Sequence, residues 1–362
     1  MSWSLPAWVR NLDQSSLEAW LRQEEAPRLE ELWAAADLVR RERVGDEVHR
    51  RGLVEISNHC VRRCAYCGIR AANSQVARYR MEPEEILACA RQARAFGYGT
   101  VVLQSGEDQA HTTQWVAELV RRIAGETGLA ITLSLGERPA RDYEVWREAG
   151  ADRYLLRVET TDPVLFARIH PGYPGREPRL AILRHLRGLG YEVGSGVMIG
   201  IPGQSYASLS RDLLLFRELD LDMIGVGPYI PHPDTPLGVD GHPDFPDAPD
   251  GGQVPNTEGM TYKTVALTRL VRPDANIPST TALATLNTEQ GRELGLRRGA
   301  NIVMPNLTPP AYRVLYEIYP GKACVSETAA QCALCLDGRI QAIGRVPGTG
   351  PGWRPGHEPD RR

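Results

Sequence analysis

The sequence predicts an α/β protein built as a (β/α)8, TIM-type barrel, with a helical segment before it and a short extension after it. Two observations carry this. From residue 51 onward, short apolar strand-like runs alternate with amphipathic helical runs, and eight such alternations fall within roughly 250 residues, the span of one such barrel. The chain has 362 residues, of which 42% are apolar, enough to bury one large core.

Residues 1–48 read as a helical segment. Ser16 is placed to cap a helix through Leu17 and Leu21, and Leu29–Trp33 continues the helical period; this segment is expected to wrap one end of the barrel. The barrel itself is assigned to 49–310, with strands at 52–57, 99–105, 130–135, 153–159, 193–199, 223–228, 275–281 and 300–304. The helix after Met81 opens on Glu82-Pro83-Glu84-Glu85, which puts proline in the first turn and acids at the positive end of the dipole. Its stripe of Ile86, Ala90, Ala93 and Phe96 ends at Gly97 and Gly99, and Cys89 beside that stripe reads as a reduced core residue. The Pro-, Gly- and Asp-rich run 231–260 is a loop after the sixth strand, where it should overhang the active-site mouth. Residues 311–345 form a C-terminal segment, and the Pro/Gly-rich 346–362 reads as a disordered tail.

Charge excludes several classes of partner. Forty-two Lys and Arg against 45 Asp and Glu give a net −3, with no footprint for nucleic acid and no polybasic membrane patch. No apolar run approaches the ~18 residues of a membrane span, and the first residues lack a secretory h-region. A cytoplasmic monomer is the expectation.

The cysteines point to chemistry. Cys60, Cys64 and Cys67 follow the first strand, on the side where barrel enzymes carry their active sites. A structural zinc wants four ligands, commonly as two pairs, and His59 adjacent to Cys60 is a poor fourth. Three thiolates at this spacing instead suit a [4Fe–4S] cube, each holding one iron and leaving the fourth open. S-adenosylmethionine (SAM) can chelate an open iron, and one electron from the cluster then splits its C–S bond to give a 5′-deoxyadenosyl radical. The spacing, with aromatic Tyr66 before the last cysteine, resembles the radical SAM superfamily, in which that aromatic lies against the adenine. Ser105-Gly106-Glu107 after the second strand resembles the superfamily's GGE-type SAM contact. Gly200-Ile201-Pro202-Gly203 after the fifth strand reads equally as an adenine contact or a loop bend.

Alternation along the fourth strand adds a physical argument. Tyr154, Leu156 and Val158 share one apolar face, so Arg153, Leu155, Arg157 and Glu159 face the interior. Inward charges are costly unless paired or liganded, a demand met by a polar cavity or by an Arg157–Glu159 ion pair. Thr132 and Ser134 on the third strand are candidates for the same cavity.

ISNHCVRRCAYCGIR, YRMEPEEI, VVLQSGED, LSLGER, GADRYLLRVET, IPHPDTPL, ANIPSTTALATL and GANIVMPNLTPPAYRVLYEIYPGKAC together resemble the HydE family of [FeFe]-hydrogenase maturation, over about residues 50–336. The resemblance implies that Tyr66, Gln104, Ser105, Glu107, Glu159 and Arg179 hold SAM. It also implies that Arg157, Thr280, Thr281, Met304 and Tyr316 bind a small anionic or organometallic, sulfur-containing substrate, a cysteine-bound iron carbonyl–cyanide complex. The radical would add to sulfur, so no protein acid–base pair is required. Cys324, Cys332 and Cys335 resemble an accessory iron–sulfur cluster site carried by some members, with zinc binding and incidental thiols as alternatives. The implied partners are a tyrosine-cleaving radical SAM maturase and a GTPase scaffold. Rival assignments are a paralogue, a methylornithine synthase or biotin synthase type of enzyme, or a non-enzymatic iron–sulfur carrier in which the SAM residues would be idle.

Overall fold

A computed structural model describes residues 6–249, 251–325 and 327–356. Strands β1 (Glu47–Ser57), β2 (Thr100–Ser105), β3 (Ala130–Ser134), β4 (Arg153–Leu155), β5 (Glu192–Ile199), β6 (Met223–Pro228) and β7 (Ile302–Val303) form a parallel sheet in the order β6-β5-β4-β3-β2-β1-β7. The expected strand at 275–281 is reduced to two parallel bridges, Met223 with Asn276 and Pro278 with Ile302, and these close β6 onto β7 to complete the barrel. Pro278 brings no N–H to a ladder, which accounts for the reduction. β4 is shorter than expected: the ladder stops at Leu155, and pairing with β5 resumes only at Glu159, whose left-handed backbone, φ 64°, allows a single bridge to Val197.

The helices between strands are α3 (Pro83–Ala95), α4 (Thr113–Thr127), α5 (Ala140–Glu148), α6 (Pro163–Ile169) with α7 (Glu177–Gly188), α8 (Tyr206–Glu218), α9 (Glu258–Val271), and α10 (Thr281–Leu286) with α11 (Gly291–Arg297). α3 starts as its sequence signals, with Pro83 in the first turn and Glu82 and Glu85 capping reciprocally; Cys89 is buried against the Leu307 carbonyl. Ahead of the barrel, α1 (Gln14–Leu21) and α2 (Ala26–Val44) lie against α8 and α9, on the outside of the helical ring. Asp13, not Ser16, is the cap of α1: its carboxylate accepts the Ser16 N–H while the Ser16 hydroxyl accepts the Asp13 N–H. After the barrel come α12 (Pro310–Arg313), α13 (Ala329–Ala342) and a short strand β8 (Val346–Pro347) paired with the start of β1.

The expectation of a disordered tail is corrected for residues 346–356. This segment closes the N-terminal end of the barrel. Carbonyls of Gly348, Pro351 and Gly352 accept from Arg50, Arg51, Thr100, Arg153 and Asn276, and the Arg153 guanidinium lies 4.0 Å from the Trp353 ring centre. Gly99 has no room for a Cβ, which would sit 1.8 Å from the Gly350 carbonyl oxygen. Proline and glycine rule out regular structure here, but their carbonyls still satisfy five buried donors. Residues 357–362 lie outside the described residues.

One buried acid on the outer layer has a pH consequence. The Asp212 carboxylate on α8 accepts from the Thr161 N–H and hydroxyl at 2.6 and 2.5 Å, and its other oxygen has no hydrogen-bond partner. Burial pushes its carboxyl up to about 7 against those hydrogen bonds. The folded value thus exceeds the unfolded one, so between about pH 4 and 7 the unfolded chain gives up a proton that the native state keeps, and stability falls as pH rises. Asp212→Asn keeps the acceptor and removes the ionisation. It should gain roughly 1–3 kcal/mol over wild type at pH 8 and nothing near pH 4 in denaturant titrations; a gain independent of pH would refute the ionisation.

Candidate functional site

The loop after β1 has no regular structure through the three cysteines, yet it is pinned from four sides. The Ala65 N–H donates to the Ile169 carbonyl at 2.8 Å, the Leu237 N–H to the Ala65 carbonyl at 3.0 Å, and the Gly68 N–H to the Ile318 carbonyl at 3.0 Å. From the fourth side the Arg78 guanidinium donates to the carbonyls of Asn58, Ile69, Arg70 and Asn73. Gly68 and Gly106 are close-approach positions: a Cβ would fall 2.2 Å from the Glu317 carbonyl oxygen and 2.3 Å from that of His59. The 231–257 loop does reach over this end, where Leu237 joins Ala65, Leu165, Ile169, Ile201 and Tyr229 in a small apolar core beneath the cysteine loop.

Cys60, Cys64 and Cys67 are half-buried free thiols bordering one cavity of about 360 Å³ inside the barrel. The Cys60 sulfur accepts from the Arg62 and Glu107 N–H groups, each at 3.4 Å. Burial raises all three thiols, Cys64 to about 11 and Cys67 further, so metal loading has to release protons. Among the described residues, no three His, Cys, Asp or Glu side chains close around a single ion; a cube instead takes each thiolate at a separate corner. Three thiols on one cavity wall, with backbone donors aimed at sulfur, are a donor set that fits such a cluster.

The structure brings every expected cofactor and substrate residue to this same cavity. Tyr66, Gln104, Ser105, Glu107, Glu159 and Arg179 line it near the thiols, and Arg157, Thr280, Thr281, Met304 and Tyr316 line it as well. Alternation past the fourth strand holds only in part: Tyr154 and Val158 join the core and Leu155, Arg157 and Glu159 border the cavity, but Leu156 is in the core and borders the cavity too, because regular strand ends at Leu155. Arg157 and Glu159 do form the ion pair, two-pronged at 2.8 and 2.9 Å, and it sits on the cavity wall rather than apart from it. The left-handed φ of Glu159 turns its carboxylate back towards Arg157. Arg153 departs from this set: it lies at the opposite end, with the C-terminal segment. Ser134 lines the cavity; Thr132 is not among the lining residues. The Gly200–Gly203 turn is a bend held by Gln204 and Gln253, with Ile201 in the small core.

Sequence reading missed the charged frame around these residues. Arg62 pairs with Glu107 at 2.7 Å, and Glu137 pairs with Arg179 at 2.7 Å, while Arg62 also lies over the Tyr173 ring. A further ion pair, Lys322 with Glu55, reaches the cavity from the C-terminal segment and β1, and the Asn306 amide donates to Glu55 at 2.9 Å. A buried acid on a strand that otherwise reads GLVEIS was the available signal for Glu55.

The second cysteine set lies outside the cavity. Cys332 and Cys335 are one turn apart on α13, and Cys324 in the preceding loop has a left-handed φ of 60°. The hydrogen bond from Cys332, helped by Arg292, brings the Cys324 thiol down to about 6. A small gap there is lined by Cys324, Cys332 and Arg292 together with Thr281, Met304 and Lys322, which also face the main cavity.

A parallel barrel with a three-cysteine loop after its first strand and a largely apolar cavity edged by ion pairs against it defines a radical SAM enzyme, and residues 54–216 match the Radical SAM superfamily model. The chain belongs to the HydE family of [FeFe]-hydrogenase maturases: it is 49% identical over 325 residues to the [FeFe] hydrogenase maturase subunit HydE of Thermotoga maritima, covering 90% of this chain and 89% of that one. It is also 28% identical to the 3-methylornithine synthase of Methanosarcina acetivorans, over 81% of this chain and 79% of the relative. Among solved structures, methylornithine synthase (PylB) superposes with a TM-score of 0.80 at 25% identity, over 94% and 96% of the two chains. The HydG maturase of Carboxydothermus hydrogenoformans has the same fold at 18% identity, with a TM-score of 0.73 over 94% of this chain and 76% of that one. Membership implies a [4Fe–4S] cluster and SAM, and no helix among the described residues is long and apolar enough to cross a membrane.

Proposed function

We propose that the cavity is a single reaction chamber, with SAM held against the cysteine loop and a sulfur-containing substrate deeper in the barrel. The observation that supports this most is the shared wall: the three thiols, the SAM candidates and the substrate candidates border one cavity with no layer of core between them. Cys60, Cys64 and Cys67 would hold the cluster. When bound and reduced, it supplies the electron that splits SAM into methionine and an adenosyl radical.

The remaining work falls to the chain's own side chains. Tyr66 lies against the adenine, Gln104, Ser105 and Glu107 serve the methionine end, Glu159 the ribose or amino group, and Arg179 the carboxylate. Arg157, with Thr280, Thr281, Met304 and Tyr316, orients an anionic sulfur compound of the cysteine-bound iron carbonyl–cyanide type. Apolar walls and the closed far end keep oxygen, which traps carbon radicals and oxidises exposed clusters, away from the site. Addition of the radical carbon to the substrate's sulfur forms a C–S bond and leaves the odd electron on the substrate's own iron, so no proton transfer by the protein is needed, which agrees with a cavity whose charges are already paired. Cys324, Cys332 and Cys335 would hold an accessory cluster, and a tyrosine-cleaving radical SAM maturase and a GTPase scaffold would be the partners.

Anaerobic reconstitution with iron and sulfide, then dithionite and SAM, tests this. The reduced cluster should show an EPR signal that changes on adding SAM, with release of 5′-deoxyadenosine and methionine; a signal indifferent to SAM would make the protein a carrier. Adding a cysteine-ligated iron carbonyl–cyanide complex should divert the nucleoside into an adenosyl–sulfur adduct seen by mass spectrometry. An unchanged product mixture would refute the substrate while leaving the SAM chemistry standing.

A further inference from the structure

We propose that His170 is a positioning residue for SAM, locking Tyr66 and Arg179 into one hydrogen-bonded unit on the SAM-facing wall. This rests on the assignment of those two residues to SAM made above.

His170 closes α6 and has no exposed surface. Its Nδ1 lies 3.1 Å from the Phe166 carbonyl oxygen, which can only accept, so Nδ1 carries the proton and Nε2 is left as an acceptor. Two donors converge on that nitrogen: the Tyr66 hydroxyl at 3.1 Å and Arg179 Nη1 at 3.3 Å. The opposite tautomer would set a lone pair against the Phe166 carbonyl and strand both donors. Burial, and then the charge of Arg179, keep the ring neutral, the state the geometry requires.

The two residues so joined come from different elements of the fold. Tyr66 sits inside the cysteine loop with its hydroxyl beside the Cys64 thiol and its ring edge-on to His170, centroids 5.5 Å apart. Arg179 comes from α7; its Nη1 also donates to the Arg157 carbonyl at 2.9 Å, while Nε donates to Glu137 at 2.7 Å and Nη2 to the Tyr173 hydroxyl at 3.0 Å. One residue earlier, the Ile169 carbonyl accepts the Ala65 N–H, so the last turn of α6 fixes the backbone of the cysteine loop as well as the direction of its aromatic side chain. A side chain that only finished a helix would need the Phe166 contact and no more. Taking up both Tyr66 and Arg179 makes His170 the joint through which the ring facing the adenine and the cation facing the carboxylate keep their spacing.

The test is a double-variant cycle on SAM affinity. The Kd is read by isothermal titration and from the EPR change of the reduced cluster, with iron content measured alongside. His170→Leu removes the acceptor, Tyr66→Phe removes only the hydroxyl, and His170→Gln restores an acceptor oxygen. His170→Leu should raise the SAM Kd about tenfold at unchanged iron content, and Tyr66→Phe about fivefold. The double variant should bind no worse than about tenfold weaker than wild type, because both changes break the same link, and His170→Gln should stay within about threefold. Wild-type affinity in His170→Leu, or multiplication of the two effects in the double variant, would overturn the assignment. Should His170→Leu not fold, Tyr66→Phe alone decides, with an unchanged Kd as the overturning result. A wild-type protein with no SAM response would instead overturn the reading of the site itself.

Discussion

Replacing Cys64 with alanine is expected to reduce 5′-deoxyadenosine formation at least ~100-fold, to the background of the assay. A cube held by three thiolates has no spare protein ligand, and the thiol that is lost lies between the other two on a pinned loop. Flanking residues cannot move in to replace it, since Ala65 is tied at both its N–H and its carbonyl. Two comparisons separate loss of this ligand from general damage by lost thiols. Cys89→Ala removes a buried sulfur that donates to the Leu307 carbonyl and packs in the core, and should leave both iron content and SAM cleavage intact. Cys332→Ala should lower the iron bound per chain, because its sulfur faces Cys324 and Arg292 outside the main cavity, while SAM cleavage stays within about threefold. Full activity in Cys64→Ala would rule out three-thiolate ligation by this loop.

The reason these residues could be found from sequence is that their signal is local. A three-cysteine loop, an alternating run and a turn after a strand each lie within a dozen residues, and the alternation points to the inner face for Leu155, Arg157 and Glu159 even though the last two lie past the end of β4. What escaped is the frame that joins distant segments. Arg62, Glu137, His170 and Arg179 meet from four different parts of the chain, and Lys322 meets Glu55 across 267 positions. No periodicity records such a pair. The tail was misread for another reason. A high content of proline and glycine argues against helices and strands, but it says nothing about whether exposed carbonyls have buried arginines to serve. Here they do, at the end of the barrel away from the chemistry. The strand expected at 275–281 failed in the opposite sense: its place in the strand–helix alternation suggested a ladder, and Pro278 left only the bridges needed for closure.

Arg153 offers the strongest test of that end-closing segment. Its guanidinium is wholly buried, pairs with Glu192, donates to the Thr100 hydroxyl at 3.1 Å and to the Pro351 and Gly352 carbonyls, and stacks on Trp353. Arg153→Met fills similar volume but leaves Glu192 buried, with the Arg354 N–H as a hydrogen-bond donor and its direct ion pair gone. Breaking a buried pair on one side costs about 3–5 kcal/mol, which for a chain of this size is a fall in Tm of roughly 4–7 °C. The double variant Arg153→Met with Glu192→Gln should recover part of this, because the stranded charge is gone while the hydrogen bond to Arg354 can persist. SAM affinity below the new Tm should be unchanged in both, since barrel enzymes divide stability and chemistry between opposite ends and Arg153 opens β4 at the far end from Cys60, Cys64 and Cys67. A Tm equal to wild type in Arg153→Met would mean that the segment merely rests on the barrel. Loss of SAM affinity without loss of Tm would mean that the two ends are coupled, and that the inward face of the fourth strand serves the cofactor along its whole length.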